Sequence, residues 1–564
     1  MKKSRFFVMI SIITAGFISP ISPTQGKEAV ERYLVRYKAD HHNAIMAALQ
    51  KKRISILRRM KQHPWISTRM TASQAQWLLS HPGVHAVEKE ARRYPMDLPP
   101  DTSGNETIHY PLFPRATPVQ DSTAPAQMES IALEQTQVAK IPKTYATAKS
   151  ICIIDSGYDL NHEDLPTDNI SGTNNPGSGN WYEDETGHGT HVAGTILALD
   201  NNIGVVGVIP NGGIRVHVVK VFGENQPADS EDNEESEDNW AYSGDLVAAL
   251  EVCESMGTDI VNMSLGGEGA IDAERIAFAH AYDAGILLVA AAGNDGPTGE
   301  PIYPASYDSV ISVTAVDDNN QIAEFSQVNR NIELAAPGVA ILSTIPMGTG
   351  TAAYISEAGN ATDKFIRAEA MEGSSFAEIT ADLYDCDQAF DICAGAQGKI
   401  CLITRGENTF AEKALNCQNA NGTGTIIINN VEGILLGTLG ETEIDIPVVG
   451  ISLIQGEQLE NLPDEAVISL GVISTNYERQ GGTSMATPFV SGIAALVWSY
   501  HPQCDARDIR RVLELTALDL GDWRKDPIFG YGLVQALKAK SRLDLRGCGT
   551  LPFRQVHDIS NVIE

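Results

Sequence analysis

Gly481-Gly482-Thr483-Ser484-Met485-Ala486-Thr487-Pro488 is the stretch whose reading decides the rest of the chain. A glycine-rich turn runs into the apolar, small-residue segment Phe489 to Trp498, which reads as a buried helix. This pattern predicts the Ser484 hydroxyl at a helix N-terminus, facing unpaired backbone N–H groups and the positive end of the helix dipole. A nucleophile so placed can hand developing negative charge to those donors. Taken alone, a serine at a helix start is most often a cap. An elbow of the Gly-x-Ser-x-Gly type would need glycine two residues after the serine, and Ala486 stands there.

Two upstream stretches change the weight of Ser484. Ser150-Ile151-Cys152-Ile153-Ile154-Asp155-Ser156-Gly157 is an apolar run ending in a carboxylate, as a buried parallel strand ends at a site on its C-terminal edge. Thr186-Gly187-His188-Gly189-Thr190-His191-Val192-Ala193-Gly194 sets a glycine-flanked histidine at the start of a small-residue helix. The three blocks, in the order Asp, His, Ser, closely resemble the subtilisin-like serine proteases, or subtilases. The resemblance implies Ser484 as nucleophile, His188 as the base that takes its proton, and Asp155 as the carboxylate that holds the imidazole. His191 is read as structural. Asn294, in Ala291-Ala292-Gly293-Asn294-Asp295-Gly296 after an apolar strand, matches the family's oxyanion-binding asparagine.

The chain has 564 residues, more than one core accommodates, and three or four units are expected. Met1-Lys2-Lys3-Ser4-Arg5 is a basic start, Phe6 to Ile18 an apolar core short for a bilayer span, and Thr24-Gln25-Gly26 a small-residue cleavage region. Residues 1–26 are therefore read as a signal peptide, and the protein as secreted. Eight cysteines in an exported chain suggest disulfides. Cys386, Cys393, Cys401 and Cys417 cluster, Cys504 and Cys548 can pair, and Cys152 and Cys253 in apolar contexts read as buried thiols. No CxxC pair points to zinc.

Charge is segregated. Residues 27–96 hold 14 Lys and Arg against 5 Asp and Glu, a balance of +9; the first 26 residues carry +3, and the total of −31 leaves −43 for the rest. Such an acidic body argues against nucleic acid and anionic membranes as partners, and the basic segment should attract it. A monomer without membrane attachment after processing is expected.

In chain order, residues 27–96 alternate strands and helices as a small α+β unit. Position and pattern resemble the subtilase propeptide, an inhibitor and folding aid; an accessory domain that stays attached is the other reading. Residues 97–125, rich in Pro, Thr, Asp and Ser, read as a linker containing the maturation cleavage. Residues 126–349 alternate apolar strands (Ile151–Ile154, Arg215–Phe222, Ile260–Met263, Leu287–Ala291, Val310–Val316) with helices over His188–Leu199, Ser243–Met256 and Asp272–Ala284. This predicts an α/β fold with a doubly wound, mostly parallel sheet. Residues 350–472 resemble the β-rich protease-associated (PA) domain that many subtilases carry before the serine. Residues 473–548 return to the sheet domain, and 549–564 form a tail.

The resemblance also assigns the substrate cleft. Peptide binding is by strand addition. Ser264-Leu265-Gly266-Gly267 supplies one wall, Trp240 and Tyr242 the opposite rim, and Ile302 the floor of an apolar primary pocket. A structural calcium is implied at Asp164, Leu199, Asn201, Ile203 and Val205, with Gln127 completing the oxygen set. Seven of the ten residues in 229–238 are acidic. They read as a solvated loop, a cation site, or a source of preference for basic residues upstream of the cut. The function expected is a secreted serine endopeptidase made as a zymogen. A restricted processing protease, a peptide transferase or a non-catalytic binding scaffold are the alternatives.

Overall fold

The computed structural model describes residues 28–96, 127–128, 130–142, 149–223, 239–357, 365–431, 435, 437–440, 442–462 and 466–549. The predicted signal peptide, the 97–125 linker, the acidic stretch 229–238 and all but the first residue of the tail lie outside them.

Seven parallel strands form the central sheet, in the spatial order Ile332–Pro337, Val310–Val316, Leu287–Ala291, Ile260–Met263, Ser150–Asp155, Arg215–Lys220, Ile170–Asn174. The Ser150–Asp155, Ile260–Met263 and Leu287–Ala291 strands are buried along their whole length, which is why they read as continuous apolar runs. The chain fills one side of Ser150–Asp155 first, then crosses to the other side at Ile260–Met263. That reversal opens a crevice beyond the carboxyl ends of these two strands, the usual ligand position in an open α/β sheet. Asp155 and Ser264 stand at its two lips.

The Thr483–Tyr500 helix is buried everywhere except Tyr500 and packs on the sheet and on the His188–Leu197 helix. Its small side chains permit that close approach. It begins at Thr483, one residue before the Ser484 predicted at its N-terminus, and Pro488 lies inside it. Proline has no N–H for the carbonyl of Ser484, four residues back. The Ser264 hydroxyl takes that role, donating to the Ser484 carbonyl at 2.8 Å.

Between the two parts of the sheet domain, seven strands from Gly350–Glu357 to Val467–Thr475 close into a separate barrel with its own core. The chain leaves along Ile341–Thr344 and re-enters along Tyr477–Gln480, and these strands pair antiparallel. The barrel is therefore a detour whose two ends are stitched together, and Ser484 arrives where an uninterrupted chain would bring it.

The N-terminal unit is a four-stranded antiparallel sheet, Ser55–Arg59, Trp65–Thr71, Val30–Tyr37, Val84–Lys89, covered by helices His42–Lys51 and Ala72–Leu79. Thr71 and Gln74 form a reciprocal capping box at the second helix.

All eight cysteines are paired: Cys152–Cys253, Cys386–Cys393, Cys401–Cys417 and Cys504–Cys548. The reading of Cys152 and Cys253 as buried thiols is thus corrected. Cys152 lies on the central strand and Cys253 on the Ser243–Ser255 helix that packs over it, with Cα atoms 5.7 Å apart.

Candidate active site

Asp155 ends the central strand, and His188 is the first residue of its helix, entered through Gly187 at a positive φ of 79°. His188 Nδ1 lies 2.6 Å from Asp155 Oδ1. A carboxylate only accepts, so Nδ1 carries the proton. The Ser156 N–H adds a 2.8 Å bond to the same oxygen. Burial pushes the Asp155 carboxyl up from its ordinary range, and the His188 contact pulls the other way.

A residue that sequence reasoning passed over holds this corner. Asp184 is buried, and its Oδ1 accepts from Ser156 Oγ at 2.8 Å and from the Gly187 N–H at 3.1 Å. Its Oδ2 accepts from the Thr190 N–H at 2.8 Å. Ser156 Oγ in turn accepts from the Gly189 N–H at 2.8 Å. Asp184 thereby occupies orphan donors at the start of the His188 helix and fixes its entry angle. A carboxylate a few residues before a histidine-led helix is the available sequence signal. His191, one turn on, sits with Nε2 2.9 Å from the Ile341 carbonyl, and burial drives its pKa down to about 3, so it stays neutral.

Ser484 occupies the second position of its helix and donates its hydroxyl to the Ser264 carbonyl at 2.9 Å. Asn294, on the turn after Leu287–Ala291, accepts at Oδ1 from both the N–H and the hydroxyl of Thr483, each at 2.9 Å. Those bonds dictate which way the amide faces. Its Nδ2 donates to the Met96 carbonyl at 2.7 Å, and the Ser484 N–H points to the same oxygen at 3.3 Å.

The last residues of the N-terminal unit lie in the cleft as a strand. Arg92–Pro95 pairs antiparallel with Leu265–Gly266 on one side and Ala241–Tyr242 on the other. The Met96 N–H donates to the Ser264 carbonyl at 3.2 Å. Ser264, Leu265 and Gly266 thus form one wall and Tyr242 the other, while Trp240 stacks under the exposed Arg92 guanidinium at 4.3 Å. A Cβ on Gly267 would fall 2.5 Å from the Arg92 carbonyl, so glycine there lets the peptide backbone approach. Ile302 is buried beneath Gly266, where an added Cβ would meet its Cδ1 at 2.6 Å.

The rest of the N-terminal unit grips two helices of the sheet domain. Glu251 accepts from the N–H groups of Lys61 and Gln62 at 2.7 and 2.9 Å. Glu88 and Glu90 accept from the N–H groups of Ala273 and Gly244, as carboxylates do at helix N-termini. Arg32 pairs with Asp245 at 3.0 Å.

The predicted metal ligands also converge. Gln127 Nε2 donates to the Leu199 carbonyl at 2.8 Å, Asn201 Oδ1 accepts from the Ile203 N–H at 3.0 Å, and Asp164 Oδ2 accepts from the Val205 N–H at 2.9 Å. Asp164 Oδ1 is buried without a hydrogen bond, and burial pushes this carboxyl up to about 7. A buried carboxyl oxygen without a hydrogen bond, on a residue bonded to the same 199–205 loop as the Asn201 and Gln127 amides, is a fitting ligand for a hard divalent cation.

Residues 147–378 and 456–532 match the subtilase family, and residues 352–459 match the PA domain. Subtilisin DY of Bacillus licheniformis is 42% identical over 202 residues, 35% of this chain and 68% of that protein. Subtilisin NAT of Bacillus subtilis subsp. natto is 41% identical, and the chain spans 49% of its length. The major intracellular serine protease of Bacillus subtilis (strain 168) is 33% identical over 50% of this chain and 90% of that protein. Among solved structures, the psychrophilic subtilisin-like protease Apa1 of Pseudoalteromonas sp. AS-11 matches with a TM-score of 0.58 and 38% identity, covering 76% of this chain and 100% of that one. Among the described residues no helix is long and apolar enough to cross a membrane.

Proposed function

Because the chain belongs to the subtilase family of serine endopeptidases and carries a PA domain within it, we propose that it is a secreted zymogen whose first substrate is its own Met96–Asp97 bond. The observation that carries this reading is the Met96 carbonyl, which accepts from Asn294 Nδ2 at 2.7 Å and faces the Ser484 N–H at 3.3 Å. These are the two donors a tetrahedral oxyanion needs, on the oxygen that would become one.

In the proposed reaction the Ser484 hydroxyl leaves the Ser264 carbonyl and attacks the Met96 carbonyl carbon. With Nδ1 committed to Asp155, His188 takes the proton at Nε2, and Asp155 stabilises the imidazolium. Negative charge moves onto the Met96 oxygen, between Asn294 and the Ser484 N–H. Collapse breaks the C–N bond, His188 returns its proton to the Asp97 amine, and the acyl group stays on Ser484. Water, deprotonated by His188, then frees the acid. Substrates cut later would lie in the same cleft as an added strand, with a medium-sized apolar side chain such as that of Met96 in the primary pocket. Residues 28–96 would act as inhibitor until they leave.

Asp164, Gln127 and Asn201 side-chain oxygens and the carbonyls of Leu199, Ile203 and Val205 would hold calcium. Once bound, the ion would neutralise Asp164 and tie down the 199–205 loop.

Phenylmethylsulfonyl fluoride treatment of the processed protein tests the reading. We expect one sulfonyl group on Ser484 and loss of casein hydrolysis; casein hydrolysis that survives full labelling, or a label on another residue, would contradict it.

A further inference from the structure

Arg93 stands three residues before the Met96 carbonyl, and its guanidinium is wholly buried against an equally buried Glu274. Nε and one terminal nitrogen grip the two carboxylate oxygens at 3.1 and 2.6 Å. The remaining N–H groups go to the carbonyls of Arg92, Glu268 and Gly269 at 2.9, 2.9 and 3.0 Å. A guanidinium has five N–H donors in a rigid fork; the pocket meets four of them, and the strand's own Arg92 carbonyl meets the fifth. Tyr307 also donates to Glu274, at 2.9 Å, and so orients the carboxylate from behind.

We infer that the fourth substrate pocket upstream of the cut, with Glu274 at its base, selects arginine, in new substrates as well as in the chain's own Arg93. This rests on the protease reading above. Glu274 belongs to the sheet domain and remains when residues 28–96 leave, so any later peptide must meet the same carboxylate. An apolar side chain there would bury Glu274 with no cation against it, the arrangement that costs most when one partner of a buried pair is missing. Lysine brings a point charge and three donors in place of the planar fork. The next position upstream is a weaker determinant, because Arg92 is exposed and only stacks on Trp240.

The test uses the processed enzyme and fluorogenic peptides differing only at the fourth position before the cut: Arg-Tyr-Pro-Met, Lys-Tyr-Pro-Met and Leu-Tyr-Pro-Met, each extended identically past methionine. We expect kcat/KM for arginine to exceed that for leucine about 10²-fold, with lysine between. In Glu274→Gln the arginine-to-leucine ratio should fall at least tenfold, and in Glu274→Leu it should invert. A ratio within threefold of unity in the wild type, or one unchanged in Glu274→Gln, overturns the inference. Cleavage of all three peptides at similar rates would sink the arginine pocket alone. Cleavage of none, with no labelling of Ser484, would sink the protease reading with it.

Discussion

Asn294 donates from Nδ2 to the Met96 carbonyl at 2.7 Å while its own Oδ1 is held by Thr483, the residue before the proposed nucleophile Ser484. The amide is therefore already oriented, and in the proposed reaction little reorganisation would remain when charge develops on that oxygen. Replacing it removes a donor without touching Ser484 or His188, the proposed nucleophile and base. Asn294→Leu should lower kcat about 10²- to 10³-fold, the loss associated with one oxyanion donor in subtilisin, with a small change in KM. Steady-state kinetics on one peptide substrate checks this; a kcat within threefold of wild type would remove Asn294 from the mechanism.

Calcium is expected to matter for stability. Chelation should lower the thermal midpoint and make the 199–205 loop the first proteolytic nick, and added calcium should reverse both. Asp164→Asn should weaken the calcium response by at least tenfold in midpoint concentration. A melting curve indifferent to chelator would dismiss the site.

The grip of the N-terminal unit should depend on pH. Burial raises the pKa of Glu88, and likewise of Glu90, which is fully buried between Arg32 and Asp245. The bound state thus holds these protons better than the free unit, whose carboxyls titrate near about 4.3. Affinity is greatest below that value, falls as pH rises through the raised values, and then levels off. Dissociation of the cleaved unit from the Ser484-labelled enzyme, followed by size exclusion, should speed up across that window. Glu88→Gln should flatten the dependence, and a rate that slows as pH rises would reverse the assignment.

The Cys152–Cys253 bond closes the longest loop of the four, a sequence separation of 101, against 7 for Cys386–Cys393. Chain-entropy reasoning gives the longer loop about 2 kcal/mol more stabilisation. The Cys152→Ala/Cys253→Ala double variant should therefore lower the melting temperature of the sheet domain more than loss of the shorter bridge lowers that of the barrel. Calorimetry that resolves the two units decides it.

Much of the fold was legible because buried parallel strands are written as unbroken apolar runs. Ile151–Ile154 and Leu287–Ala291 needed only that. The edge strand Ile170–Asn174 and the Trp65–Thr71 strand escaped because their residues are mostly polar and show neither an apolar run nor a clean alternation. The helix start at Ser484 was readable from the glycine-rich turn before it, but the Ser264 hydroxyl that satisfies the Ser484 carbonyl opposite Pro488 lies 220 residues away and was not. Asp155, His188, Asn294 and Ser484 were singled out through short local patterns. Arg93 and Glu274 carry no such pattern: they are 181 residues apart, and a buried ion pair between units exists only once both are folded together.

The most direct test is the fate of the Met96–Asp97 bond. Intact mass and N-terminal sequencing of the wild-type chain after folding should show a single cut after Met96, with Asp97 as the new N-terminus, and the Ser484→Ala variant should remain uncut with residues 28–96 still attached. A first cut elsewhere in the wild type, or the same cut in Ser484→Ala made without added protease, would contradict the account.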